Sequence, residues 1–282
     1  MSANLYACIS HKGGTGRTTT AANVAYRLAL RNRSVCCIDL DLESPTFGAV
    51  VGLPGLEQGA PVGIHDFLHV DGALRPRPPE AASDALVDVW RHATLPRPPV
   101  GRAGRLHLLP GSRERLGIPL VSTEKQGEIL ARIVATLRGE YDHVLLDVRS
   151  GVSATVEAVL AADDVLEAVN WLVFFRWTPQ HLLGAGDLCE RLAATGADIS
   201  LVRTAYREPD GLSSWYRDQH RELTKRARSV LGEWDVVASI AAEPMLQWKE
   251  GIVTEENVRD GIADSATIAG YELLAGELDG RR

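Results

Sequence analysis

The sequence predicts an α/β fold in which a mostly parallel sheet is flanked by helices on both faces. Strand-like and helix-like runs alternate along the chain, which is typical of parallel strands joined by right-handed crossovers. Val35–Leu40 is a nearly continuous apolar run, as in a strand that is buried on both faces. A glycine-rich turn follows the first strand-like run and opens a helix-like one. With 282 residues the chain can bury a full core, and we expect one domain over residues 1–282.

Apolar periodicity locates the individual elements in chain order. Leu5–Ser10 is a short apolar run, whereas Thr18–Leu30 carries Ala, Val and Leu at helical spacing. The other expected strands are the short, mostly apolar runs Val35–Leu40, Leu106–Leu109, His143–Leu146, Trp171–Phe175, Ile199–Thr204 and Asp235–Ile240. The other expected helices are the longer runs Glu124–Leu137, Val152–Ala162, Leu182–Ala194, Ser214–Leu231 and Ser265–Leu278.

Residues 71–104 interrupt this alternation, because six prolines and several arginines fall within or beside them. This composition predicts a mobile surface insertion, inside which Ala81–His92 forms at most a weak helix. The alternative is an arm that binds a partner or nucleic acid.

Composition excludes several classes of protein. The net charge of −7 argues against a protein that coats nucleic acid over its whole surface. The first residues lack a basic segment and a long apolar core, so we expect no signal peptide, and no apolar stretch is long enough to span a bilayer. The four cysteines form no CxxC pair, which predicts reduced structural thiols and a cytoplasmic location.

The turn from His11 to Thr19 is the most informative segment of the chain. Its glycines let backbone N–H groups approach a phosphate closely, and the following helix N-terminus adds partial positive charge. The ordinary phosphate-binding pattern G-x-x-x-x-G-K-[ST] has a lysine where this chain has Arg17. The alternative is a glycine-rich turn without a ligand.

Lys12–Gly16 followed by Arg17–Thr19 nevertheless resembles the deviant Walker A loop, K-G-G-x-G-K-T-T, of the ParA/MinD ATPases. The resemblance implies a P-loop NTPase fold, ATP and Mg²⁺ as ligands, and a homodimer in which Lys12 reaches the partner's nucleotide. Thr18 is implied as a metal ligand. The residues implied to contact the nucleotide are Gly13, Gly14, Thr15, Gly16, Arg17, Thr18, Thr19 and Asp147.

Two carboxylate segments strengthen this resemblance. Asp39-Leu40-Asp41 is similar to the family's D-x-D segment, in which the later aspartate, here Asp41, orients the attacking water. Asp39 is then expected to support the loop or the metal shell. Tyr141–Asp147 is similar to the Walker B strand, which implies that Asp147 lies beside Mg²⁺. Arginine at position 17 either slows hydrolysis without abolishing nucleotide binding or is a working substitute for lysine.

Later segments resemble the family more weakly. Trp177–Gln180 is similar to its T-P helix start, and Ser265–Leu278 to its last helix. The family's adenine-contacting asparagine is not found on the strand Ile199–Thr204, so base preference is open. Arg203 there either stacks on a base or is a surface arginine.

The resemblance implies an ATP-binding, slowly hydrolysing dimeric switch that acts in positioning, partitioning or assembly through a protein partner. The alternatives are a non-hydrolysing nucleotide-binding adaptor, an ATP-dependent nonspecific DNA-binding protein, and a small-molecule kinase or ligase. DNA binding is not favoured, because acidic residues interleave with the basic residues Arg217, Arg221, Lys225, Arg226 and Arg228. We expect no MinD-like membrane helix, because the sequence ends without an apolar–basic tail. His65 and His69 lack the partners of a metal site.

Overall fold

A computed structural model describes residues 3–53, 62–70, 76–96, 103–112, 114, 117–151, 153–160, 169–210, 212–232 and 234–281. Its strands are β1 (Asn4–Ser10), β2 (Val35–Leu40), β3 (Val87–Asp88), β4 (Leu106–Leu109), β5 (His143–Val148), β6 (Val169–Arg176), β7 (Asp198–Tyr206) and β8 (Val236–Ala241). They form one sheet in the order β3-β4-β2-β5-β1-β6-β7-β8. Every pairing is parallel except that of β3 with β4. The predicted α/β class with a mostly parallel sheet is therefore confirmed.

Helices cover both faces of this sheet. They are α1 (Arg17–Leu30), α2 (Phe47–Val50), α3 (His65–Leu68), α4 (Val89–His92), α5 (Thr123–Arg138), α6 (Ala154–Leu160), α7 (Pro179–Ala193), α8 (Ser214–Val230), α9 (Met245–Trp248), α10 (Glu255–Arg259) and α11 (Ser265–Gly280). None of these described helices combines the length and apolar character needed to cross a membrane.

The side chains of the central strands alternate between two cores. Along β1, Leu5, Ala7 and Ile9 join a core with α5, α6 and α7. Tyr6 and Cys8 face the opposite core, which contains α1 and α11. Because both faces are covered, nearly every residue of β1, β2 and β5 is buried. All four cysteines are free and buried, as expected for structural thiols.

The helix predicted over Ala81–His92 is wrong. Two 3-10 turns, Pro79–Ala81 and Ser83–Ala85, lead instead into the antiparallel edge strand β3 and the short helix α4. Ala82 and Val89 are buried, so this part of the expected insertion packs against the body of the protein. Residues 71–75 and 97–102 lie outside the described residues, and the mobility expected there remains a prediction, as does the single domain.

Candidate functional site

The predicted site residues meet at the carboxyl ends of β1, β2 and β5. The register pairs Asp39 on β2 with Asp147 on β5, and Asp147 with Cys8 on β1. The glycine-rich turn continues directly from β1, and Asp41 follows β2. Parallel α/β sheets bind their ligands at such ends, because the loops there converge from neighbouring strands.

The glycine-rich turn has the backbone shape that its sequence predicts. Gly14 and Gly16 have φ angles of 74° and 76°, which residues with a Cβ rarely adopt. Gly16 precedes α1, and in the part of the chain that the structure describes no side-chain cap bond is made at this helix N-terminus. The turn and the helix N-terminus together present unsatisfied donors to an anion.

Hydrogen bonds from distant strands hold this turn in place. The Thr204 hydroxyl at the end of β7 donates to the Thr15 carbonyl at 2.5 Å. The Ser10 hydroxyl donates to the Lys12 carbonyl at 3.0 Å, and the Gly151 N–H donates to the Ser10 carbonyl at 2.7 Å. The turn is therefore fixed by β7 and by the segment after β5.

Arg17 is the first residue of α1, and its side chain turns back into the site. Its Nε lies 2.6 Å from Asp147 Oδ1, and its Nη2 lies 3.3 Å from Thr18 Oγ1 and 3.6 Å from Asp41 Oδ2. Only 7% of the residue is exposed. Burial alone would lower the pKa of Arg17, but Asp147 and Asp41 outweigh it and raise that pKa above its ordinary value. One guanidinium thus contacts three of the groups predicted for metal binding and catalysis.

The paired aspartates differ in their partners. Asp39 Oδ1 accepts the Asp41 N–H at 3.2 Å, and Oδ2 accepts the Phe47 N–H at 3.1 Å. Burial and the neighbouring Asp147 raise the pKa of Asp39 to about 8. Burial also raises the pKa of Asp147, although the charge of Arg17 opposes it. Both oxygens of Asp39 hold the backbone after β2, which favours the loop-supporting role over the metal role.

Lys12 and Arg203, which the sequence analysis also singled out, differ in what surrounds their side chains. Lys12 is exposed at the start of the turn. The Arg203 guanidinium lies 3.4 Å from the ring centroid of Tyr206 and 4.7 Å from that of Trp177, and it donates to Ser239 Oγ. Arg203 therefore stacks on aromatic rings of its own chain, and burial lowers its pKa.

His65 is a site-supporting residue that the sequence analysis missed. Its Nε2 lies 2.9 Å from the Leu42 carbonyl, and its Nδ1 accepts the Ser112 N–H at 3.1 Å. The ring thus joins the segment after Asp41 to the loop after β4. These contacts span 23 and 47 residues of sequence, so no local pattern could indicate them. Among the described residues no group of three metal-binding side chains is found.

The basic helix α8 carries paired charges. Arg221 lies 3.2 Å from Asp218, and Lys225 lies 2.8 Å from Glu222. The members of each pair are three residues apart, a spacing that brings side chains together on one helix face. The helix has no buried residue, which agrees with a solvated face.

Known proteins resemble this chain over most of its length. Residues 6–232 match a family model described as the CobQ/CobB/MinD/ParA nucleotide binding domain. An uncharacterised protein of Pseudomonas putida is 29% identical over 215 residues, covering 72% of this chain and 70% of that protein. The chromosome partitioning protein ParA of Myxococcus xanthus is 31% identical over 164 residues, covering 56% of this chain and 50% of that protein.

The solved structure of the septum site-determining protein MinD of Pyrococcus horikoshii, complexed with Mg-ADP, has a TM-score of 0.66 to this chain. It is 20% identical and covers 99% of this chain and 96% of its own. At this identity the likeness concerns the fold, and it confirms the P-loop NTPase fold that the sequence predicted.

Proposed function

Because this chain belongs to the CobQ/CobB/MinD/ParA nucleotide-binding family, we propose that it is an ATP-binding, slowly hydrolysing switch. It acts as a dimer in the cytoplasm, in positioning, partitioning or assembly, through a protein partner. The observation that carries the proposal is the glycine-rich turn with its two left-handed glycines, which opens onto the uncapped N-terminus of α1. Such donors suit the phosphates of a nucleotide.

The position of Asp41 supports slow turnover. Its carboxylate follows β2, is 16% exposed and lies 3.6 Å from Arg17 Nη2. A carboxylate there could orient the attacking water, while Arg17 and the partner's Lys12 offset charge on the outer phosphate. Because Arg17 also attracts this carboxylate, Asp41 is not held by a water alone. The same contact favours a second candidate, a non-hydrolysing adaptor that uses the nucleotide only to fix a dimer.

The exposure of Lys12 supports the dimer. It belongs to the phosphate-binding turn, yet its side chain is exposed, so it could contact a nucleotide held by a second copy. The names of the relatives, a chromosome partitioning protein and a septum site-determining protein, support a positioning role. The charge pairs along α8 disfavour DNA as the ligand.

Magnesium fits this arrangement poorly. Mg²⁺ accompanies ADP in the Pyrococcus MinD structure, and here Thr18 and Asp147 are the residues that would hold it. A hydroxyl and a carboxylate are suitable ligands for Mg²⁺. Both of them, however, contact Arg17 in this chain, so the ligand set does not fit the metal as it stands. The proposed function therefore rests on the nucleotide alone.

A phosphate-release assay with parallel nucleotide-binding measurements tests the proposal. We expect slow release by the wild type, loss of release in Asp41→Ala with binding retained, and no change in Glu43→Ala. Glu43 is a matched control, because it lies two residues away and is 70% exposed. No release by a wild type that still binds ATP would favour the adaptor, and no binding of any nucleotide would reject both candidates.

A further inference from the structure

We propose that Arg17 is the resident cation of the nucleotide site, so that this protein binds a nucleoside triphosphate without requiring Mg²⁺. The inference rests on the proposed function, because it concerns how the same site holds its ligand.

The guanidinium already occupies the groups that would bind a metal. Nε lies 2.6 Å from Asp147 Oδ1, and Nη2 lies 3.3 Å from the Thr18 hydroxyl and 3.6 Å from Asp41. The other oxygen of Asp147, Oδ2, is inaccessible to solvent and has no hydrogen-bond partner in the described part of the chain. Arg17 is thus the cation that already compensates the carboxylate on which a metal ion would depend.

Displacing Arg17 would be costly. Asp147 is 1% exposed, and its side chain pairs with a guanidinium that is itself 8% exposed. If a metal ion took over the carboxylate, the buried guanidinium would be left without its partner. An arginine cannot relieve that cost by losing its proton, because its guanidinium stays charged in proteins. The ion pair therefore competes effectively with a divalent cation for the same carboxylate.

The same guanidinium keeps a donor for the ligand. Nη1 makes no hydrogen bond to the described residues, while Nε and Nη2 are engaged by Asp147 and Thr18. A planar guanidinium can thus hold a carboxylate with one edge and a phosphate oxygen with another. This is the bridging position that a metal would otherwise fill between protein and phosphate.

The position of Arg17 at the start of α1 also supports its role as the cation of the site. A positive side chain at the first residue of a helix is disfavoured by the partial positive charge of that terminus. Arg17 nevertheless begins α1. The arrangement is favourable only where negative groups surround the terminus, which is the condition that Asp147, Asp41 and a bound triphosphate would create.

The test compares the affinity for a fluorescent ATP analogue in excess EDTA and in excess MgCl₂. For the wild type we expect the two dissociation constants to agree within about threefold. In Arg17→Lys, whose compact ammonium cannot span carboxylate and phosphate together, we expect affinity to fall at least about tenfold when Mg²⁺ is removed. Arg149→Lys is the matched control, because Arg149 pairs with Glu43 beside the site, and its ratio should equal that of the wild type.

The outcomes separate the inference from the proposed function. A wild type that binds the analogue only with Mg²⁺ overturns the inference and leaves the proposed function standing. A wild type that binds it under neither condition overturns both. Thermal melting checks that Arg17→Lys is folded, and the two wild-type measurements decide the question even if it is not.

Discussion

Two buried arginines lie on the same helix, α1, and their surroundings differ. Arg17, at the first residue, pairs with the carboxylates of Asp147 and Asp41, whose side chains are 1% and 16% exposed. Arg27, in the last turn, donates to the Val253 carbonyl at 2.6 Å and pairs with Glu255, whose side chain is 67% exposed. Both guanidinium groups are removed from water, yet only Arg17 has carboxylate partners that are largely removed from water with it.

The partial charges at the two ends of α1 have opposite effects on the two arginines. Arg27 lies where the partial negative charge of the C-terminus favours a cation, and Arg17 lies where the N-terminus disfavours one. Arg27 also connects α1 to residues more than 220 positions away, which explains its presence by folding alone. The partners of Arg17 are carboxylates of the site itself, so its burial depends on the site rather than on contacts elsewhere in the fold.

The largest effect is expected from removing the charge of Arg17. Arg17→Met leaves Asp147 buried without its cation, which typically lowers the free energy of unfolding by about 3–5 kcal/mol. Urea denaturation without nucleotide measures this loss. Adding Asp147→Asn removes the stranded charge and should restore at least half of the stability, whereas a double variant as unstable as Arg17→Met would contradict the account.

A smaller effect is expected at the other end of α1. Arg27→Met loses hydrogen bonds to a charged group, typically worth about 1.5–3 kcal/mol, but its glutamate partner can regain water. Nucleotide affinity should not change, because Arg27 contacts none of the residues of the site. Arg31→Met is the control in the same denaturation series. Its guanidinium is 34% exposed and pairs with Glu272, so its loss should cost less than about 1 kcal/mol. If Arg27→Met costs as much as Arg17→Met, the difference drawn between the two residues is wrong.

The local pattern of apolar residues was sufficient to predict the elements in which one periodicity extends over several residues. Val35–Leu40 was predicted with its observed bounds, and Leu5–Ser10 missed only Asn4. The edge strand Val87–Asp88 could not be found in the same way, because two residues show no periodicity. It is defined by its pairing with β4, about 20 positions further along the chain.

As with the fold, only the local features of the site could be predicted from the sequence. The glycines and Arg17 could be placed in a phosphate-binding turn from their spacing, because that turn is local. The contact of Arg17 with Asp147 joins positions 130 residues apart, so only the folded sheet brings it about. The roles of the individual site residues stay predictions. Among them, the expectation of Mg²⁺ is the prediction that the contacts of Arg17 with Asp147 and Thr18 affect most directly.

His143 is a third buried titratable group, and it differs from Arg17 and Arg27 because it can lose its charge. His143 at the start of β5 is fully buried, with Nε2 3.5 Å from Asp279 Oδ1. Burial lowers the pKa of His143 although Asp279 opposes that shift, so the folded protein holds this ring neutral more readily than the unfolded chain does. The unfolded chain then binds more protons below about pH 6.5, and stability should fall as pH decreases through that range.

Denaturation of the wild type and of His143→Gln at about pH 7 and about pH 5.5 measures this difference. We expect the wild type to lose more stability on acidification than the variant. Burial also lowers the pKa of His107 and of His181, so part of the pH dependence should remain in His143→Gln. An unchanged pH dependence would mean that folding does not lower the pKa of His143. Since a histidine can shed its proton and an arginine cannot, the effect of this substitution should be the smallest of the three, and Arg17 remains the group whose burial needs a partner.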